Sequence, residues 1–170
     1  MSNKEIEVKL LIDFNEDLEK FFSENSASSV KIIEQNYLSV TDKEEIRIRH
    51  SCDKDLTNNE YFLTIKSSGD VIRTQEEFNI TEESYLNLLK GFEKFETIKK
   101  ERYCIPFNNY ILEFDFFLND KLDFILLEVE VDSLDDLKNL FFLNDFSFII
   151  EDVTKDKSFK NKNLWLKINE

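Results

Sequence analysis

Charged and apolar residues alternate one for one in a series of short segments along this chain. Glu5-Ile6-Glu7-Val8-Lys9-Leu10 puts charges on odd positions and aliphatics on even ones, the two-residue period of a β-strand. The same period returns in Glu45-Ile46-Arg47-Ile48-Arg49, in Tyr61-Phe62-Leu63-Thr64-Ile65-Lys66, and from Arg73 to Ile80. It continues in Lys100-Glu101-Arg102-Tyr103, Leu112-Glu113-Phe114-Asp115-Phe116 and Leu127-Glu128-Val129-Glu130-Val131. A strand over Asn36 to Val40 is expected to pair near Glu45 to His50 through a Thr41–Glu44 turn. The pattern predicts about eight strands.

Helices are expected between them. Glu16 to Phe22 carries Leu18, Phe21 and Phe22 at helical spacing. Thr81 is a candidate N-cap for a helix to about Phe92, with Glu82 and Glu83 suited to its first turn. Ser133 and Asp136 resemble a capping box opening a helix over Leu134 to Phe141, and a short helix is expected within Thr154 to Asn163.

Composition narrows the class. The 170 residues, 41% hydrophobic and 34% charged, suit one globular domain over 1–170, and 2 Gly and 1 Pro leave no linker to divide it. A formal net charge of −14 opposes nucleic acid and anionic membranes as partners. Cys52 and Cys104 stand far apart without a CxxC spacing, as expected of reduced thiols in a cytosolic protein. The first residues lack an apolar leader and no apolar run reaches membrane-spanning length, so a cytoplasmic location is expected.

The charges on the strands are grouped by type. Glu5, Glu7, Lys9, Glu45, Arg47, Arg49, Lys66, Arg73, Glu77, Lys100, Arg102, Glu113, Asp115, Glu128 and Glu130 occupy one face of their strands, while Ile, Val, Leu and Phe occupy the other. Helices packed outside would cover the apolar faces, including Phe114, Phe116, Phe141, Phe142, Phe146 and Phe148. The expected architecture is therefore α+β: a closed eight-stranded antiparallel β-barrel with a charged interior. Carboxylates beside guanidinium and ammonium groups are costly to enclose unless paired. A polyanion bridged by a divalent metal satisfies both signs together.

These segments resemble, in order and over nearly the whole chain, the CYTH superfamily of triphosphate tunnel metalloenzymes. Glu5 to Lys9 resembles its ExExK, Glu45 to Arg49 its RxR strand, and Tyr61 to Lys66 its FLTxK strand. Lys100 to Tyr103 resembles KxRY, Glu113 to Asp115 ExD, and Leu127 to Val131 LxEVEx. Val153-Thr154-Lys155-Asp156 with Phe159-Lys160-Asn161 is similar to the C-terminal VTxDxRYxN. Gln35-Asn36-Tyr37-Leu38 looks like the QGYL strand of the small bacterial tripolyphosphatases.

The resemblance implies Mg²⁺ or Mn²⁺ dependence and hydrolysis of a triphosphate, inorganic tripolyphosphate first. It implies phosphate binding by Lys9, Arg47, Arg49, Lys66, Arg73 and Arg102. Glu5, Glu7, Glu77, Glu113, Asp115, Glu128 and Glu130 become metal ligands, and Lys100 and Tyr37 catalytic residues. Two positions depart from the pattern. RxExE reads Arg73-Thr74-Gln75-Glu76-Glu77, and Glu76, one residue along, would point to the other face. Ser158 stands where the family has Arg. A class IV type adenylate cyclase and a non-catalytic triphosphate-binding protein stay open as alternatives, as do a monomer and a homodimer. His50, the single histidine, follows Arg49 and is expected to face away from the lumen.

Overall fold

The computed structural model describes residues 3–41, 43–67 and 72–170; the side chains of residues 3–5, 72 and 73 lie outside that description. Among the described residues, nine strands form one antiparallel sheet. They are β1 (Asn3–Ile12), β2 (Ser29–Val40), β3 (Glu44–Asp53), β4 (Glu60–Ser67), β5 (Ile72–Asn79), β6 (Ile98–Phe107), β7 (Tyr110–Phe117), β8 (Ile125–Glu130) and β9 (Ile149–Asp152). Their order is β5-β4-β3-β2-β6-β7-β8-β1-β9, with a further pairing of β5 to β1. β1 serves three neighbours: Asn3 to Ile6 pair with β5, Glu7 to Ile12 with β8, and Leu10 to Ile12 also with β9.

The expectation of eight strands omitted β9, whose four residues are too few to carry a period. It also began β2 at Asn36, whereas the strand starts at Ser29. β6 and β7 are joined by Asn108 and Asn109 alone, both at positive φ (47° and 67°), with Phe107 paired to Tyr110. That is the two-residue hairpin whose twist matches the strands, and Asn is one of the few residues that tolerates it.

Helices α1 (Glu16–Glu24) and α2 (Glu82–Leu89) lie against the sheet's outer face. Asn15 caps α1 by accepting from the Asp17 and Leu18 amides, and Thr81 caps α2 by accepting from the Ser84 amide. α1 drives Leu18 and Phe21 into the main core, where Phe21 meets Phe114 at 5.7 Å and Phe107 at 5.6 Å between ring centroids. Aromatic pairs of this kind add roughly 0.5–1.5 kcal/mol each beyond the area they bury. Phe142, Phe146 and Phe148 join this core as expected, but Phe141 does not: it is 71% exposed.

Two helical expectations change. Ser133 does engage Asp136, with Oγ donating to the carboxylate at 2.6 Å, but the segment that follows, Asp136–Asp145, is 3₁₀ rather than α. Leu137, Leu140 and Leu143 sit three apart and all pack on the core, a spacing that the three-residue turn aligns on one face. The last helix, α3 (Asn161–Ile168), is not packed outside. Tyr37, Ile98 and Leu126 share a strand face with Arg47, Gln35 and Asp115 respectively, yet they are apolar and buried. α3 covers them with Leu164 and Trp165, the indole lying 5.8 Å from the Tyr37 ring and donating to Asn36 Oδ1 at 3.2 Å. Among the described residues no helix is long and apolar enough to cross a membrane.

Candidate functional site

The inner face of the sheet is polar on one side of that apolar end, and there it surrounds a cavity of about 220 Å³. Strand pairing explains which residues reach it. Directly opposed residues share a face, and the registers Lys9↔Glu128, Glu113↔Glu128, Arg102↔Asp115, Gln35↔Arg49, Glu45↔Lys66 and Lys66↔Gln75 carry one charged face from strand to strand. Glu76 opposes Ile65 on the other face, so it does not stand in for the Gln75 side chain.

The lining divides by charge. β1, β8 and β7 contribute Glu7, Glu128, Glu130 and Glu113, with Asp115 buried behind them. β3 and β4 contribute Arg47, Arg49 and Lys66, flanked by Gln35 on β2 and by Gln75 and Glu77 on β5. Lys100 and Arg102 come from β6, between the two walls.

Both β6 cations turn toward the acidic wall. Lys100, 2% exposed, donates to Asp115 Oδ2. The Arg102 guanidinium donates from Nε and Nη2 to the Asp115 oxygens at 2.6 and 2.7 Å, and also reaches Glu113 and Glu128. Lys9 Nζ lies 2.6 Å from Glu128 Oε1 in a close ion pair, and it donates to the Phe159 carbonyl at 3.5 Å. On the basic wall Glu77 lies 3.2 Å from Arg49 Nη2 and 3.9 Å from Arg47 Nη2.

The ionisation behaviour follows these contacts. Burial pushes the Lys100 ammonium down, with Arg102 acting in the same direction, against opposition from Asp115 and Glu128. Burial acts on Arg102 in the same sense but is outweighed by Asp115, Glu128 and Glu113, which raise it well above its ordinary value. Burial alone would raise Glu128; Lys9, Arg102 and Lys100 overturn that and hold it well below the usual carboxylate range. Glu113 is raised, by burial first. Arg49 is lowered to about 10 by burial, then by the neighbouring Arg47.

Of the residues named from the sequence, Glu7, Arg47, Arg49, Lys66, Glu77, Lys100, Arg102, Glu113, Glu128 and Glu130 line this one cavity, Glu130 from an exposed position. Lys9 and Asp115 touch its lining residues. The Glu5 and Arg73 side chains lie outside the described residues, although their backbones are directly paired. Tyr37 is not among the lining residues; its ring is buried against Trp165 at the apolar end. Among the described residues, no group of three acidic, His or Cys side chains is gathered as a ready cation site; Arg102, Lys100 and Lys9 pair with the inner carboxylates. Ser158 is exposed and donates to Asp156 within a turn. Ile33, Gln35 and Asn161 line the cavity without having been named as site residues; Gln35 lies in the recognised Gln35–Leu38 segment, and neutral residues give no charge signal.

A second cavity of about 410 Å³ shares Ile33, Arg49, Arg102 and Glu113 with the first, and its rim is formed by Lys31, Glu60, Phe62 and Ile111. A larger concavity, about 760 Å³, lies on the outside between the 3₁₀ segment and β9. Phe141, Leu143, Phe146 and Ile150 line it together with Lys138, Asp152 and Lys155. His50 faces outward, its ring stacked 4.9 Å from Tyr61 and its Nε2 2.7 Å from Asn59 Oδ1.

Residues 3–166 match the CYTH domain family. The inorganic triphosphatase of Nitrosomonas europaea is 32% identical over 139 residues, which span 80% of this chain and 85% of that protein. The crystal structure of the inorganic triphosphatase NE1496 superposes with a TM-score of 0.63 at 28% identity, over 98% of this chain and 97% of that one. HpAC1 from Hippeastrum superposes with a TM-score of 0.69 over 96% and 95% of the two chains; at 15% identity that likeness speaks for the fold alone.

Proposed function

The chain belongs to the CYTH domain family, and on that premise we propose that it is a metal-dependent triphosphatase acting on inorganic tripolyphosphate. The observation that carries this reading is one cavity with an acidic wall on β1, β7 and β8 and a basic wall on β3 and β4. The pairing of β5 with β1 supports a closed eight-stranded tunnel formed by β1 to β8, with β9 as an addition. The relatives' activity as inorganic triphosphatases supports the substrate. The net charge of −14 suits a cytoplasmic protein with a small-molecule substrate rather than a nucleic acid or membrane partner.

Phosphoryl transfer asks a protein mainly for positioning and for neutralising charge. Arg47, Arg49 and Lys66 hold phosphate oxygens along the basic wall, with Arg73 extending it, while Arg102 and Lys9 approach from the opposite side. Family membership implies a divalent metal. The acidic wall offers oxygen donors alone, which fits a hard cation such as Mg²⁺ or Mn²⁺. Glu7, Glu113, Asp115, Glu128 and Glu130 would hold it, with Glu5 and Glu77 completing the set. Such an ion, when bound, polarises phosphoryl oxygens and lowers the pKa of water.

Lys100 is the catalytic base in this reading. Its ammonium is pushed below 10.5 by burial and Arg102, which raises the share of neutral amine that accepts a proton from the attacking water. The water oxygen bonds to the terminal phosphorus, the anhydride P–O bond breaks, and pyrophosphate leaves. Tyr37 has a positioning role through the Trp165 contact that closes the apolar end.

The test is a product-resolved assay with tripolyphosphate and ATP, each with Mg²⁺ or Mn²⁺. Tripolyphosphate should give orthophosphate and pyrophosphate in equal amounts, at a rate that rises with pH with its midpoint below the ordinary lysine value. Lys100→Arg should remove that rise. Cyclic AMP with pyrophosphate from ATP would move the reading to a cyclase, and binding without turnover to a sensor.

A further inference from the structure

Three buried donors on adjoining residues of the basic side lack partners among the described residues, as do two acceptors of the same cavity, Gln75 Oε1 and Asn161 Oδ1. Gln35 is 1% exposed and faces Arg49 across the β2–β3 ladder, and Arg47 is the next β3 residue on that face. Gln35 Nε2, Arg47 Nε and Arg49 Nε are all buried, and none donates to an acceptor among the described residues. Glu77 approaches the two arginines only at their Nη groups. Each of the three atoms is a donor with no lone pair to offer.

A buried donor left unmet forfeits its hydration without a replacement, so three together are a standing cost to the unliganded fold. An acceptor-rich group placed among them removes it. A carboxylate would serve less well than a phosphoryl group, whose three terminal oxygens meet three donors at once. The amide is also suited to this place because it adds a donor without adding charge. Arg47 already depresses Arg49, which burial has lowered to about 10.

We propose that Gln35 is a binding and specificity residue, its amide N–H joining the Nε–H groups of Arg47 and Arg49 in a subsite for one fully ionised phosphoryl group. The inference deepens the triphosphatase reading, and rests on it for the identity of the longer ligand. The subsite itself needs only a terminal phosphoryl group.

Gln35→Met keeps the length of the side chain and removes the donor. The experiment measures binding of orthophosphate, pyrophosphate and tripolyphosphate by calorimetry without metal, together with the Tm of the unliganded chain. Binding should weaken by roughly tenfold for each ligand, while Tm stays level or rises because an unmet buried donor has gone. Unchanged affinities overturn the proposal whatever the Tm does, and a fall in Tm with unchanged affinity marks Gln35 as a packing residue. Gln35→Glu gives a second reading: its loss of affinity should grow as pH rises through the range where the new carboxylate ionises. If the Met variant does not fold, a pH-independent effect of Gln35→Glu overturns the proposal. Wild-type chain that binds orthophosphate as tightly as tripolyphosphate sinks the triphosphatase reading, yet leaves the subsite standing if Gln35→Met still weakens binding. Wild-type chain that binds none of the three sinks both.

Discussion

The two walls of the cavity face the same problem, buried charge, and meet it differently. On the acidic wall the protein supplies its own counter-ions: Arg102 reaches Asp115, Glu113 and Glu128, Lys100 reaches Asp115, and Lys9 reaches Glu128. On the basic wall Arg47 and Arg49 share one carboxylate, Glu77, and both keep an unmet Nε. An internally paired wall is a structural element whose members are costly to remove singly. The two unmet arginine Nε groups store binding capacity, because a ligand's acceptors meet donors that the fold leaves waiting.

The contrast breaks most visibly at Arg102. Arg102→Met strands three carboxylates in a buried setting, and should cost about 3–5 kcal/mol of stability, read from denaturant unfolding. A loss below about 1 kcal/mol would mean that the acidic wall is not held by this pairing.

Next in size is Arg49→Met on the other wall. Stability should fall by less than in Arg102→Met, because Glu77 keeps Arg47 within 3.9 Å, while affinity for tripolyphosphate falls roughly 10- to 100-fold in calorimetry, the worth of a charge-assisted hydrogen bond. The opposite result, a large stability loss with binding intact, would erase the distinction between the walls.

The smallest effect is the pH dependence of the unliganded chain. The Glu128 carboxyl is held well below 4.5 in the fold. A depressed carboxyl stabilises the fold above its unfolded pKa and loses that contribution as pH falls through the folded value. Tm should therefore drop as the solution is acidified below about 4.5, and more shallowly in Glu128→Gln. Identical acid limbs in the two proteins would show that Glu128 carries no linked stability.

What the sequence made legible was the strand face. Glu7, Lys9, Arg47, Lys66, Arg102 and Glu128 could be assigned to one side because alternation is a local property, written within each strand. The acidic and basic walls are not local. They depend on which strands are neighbours, and nothing within Lys100 to Tyr103 says that β6 sits between β2 and β7. The apolar end was hidden for a related reason: Tyr37, Ile98 and Leu126 follow the inward period but lack charge, so they became visible only with α3 packed on them. Gln35 was recognised as part of a motif yet passed over as a binding residue, because a neutral side chain on an inward face looks like filler until its amide is seen without a partner. The Asp136–Asp145 segment misled in the other direction, since three-residue and four-residue turns share much of their apolar spacing.

The Asn108–Asn109 turn constrains how this chain can change. β6 brings Lys100 and Arg102, β7 brings Glu113 and Asp115, and the connection between them has no slack. Adding a single residue there would shift the ladder by one and rotate every β7 side chain through the sheet, sending Phe114 inward and Asp115 into the hydrocarbon packing of α1. Length variation is therefore confined to other connections, and this hairpin acts as a fixed gauge between cation and carboxylate.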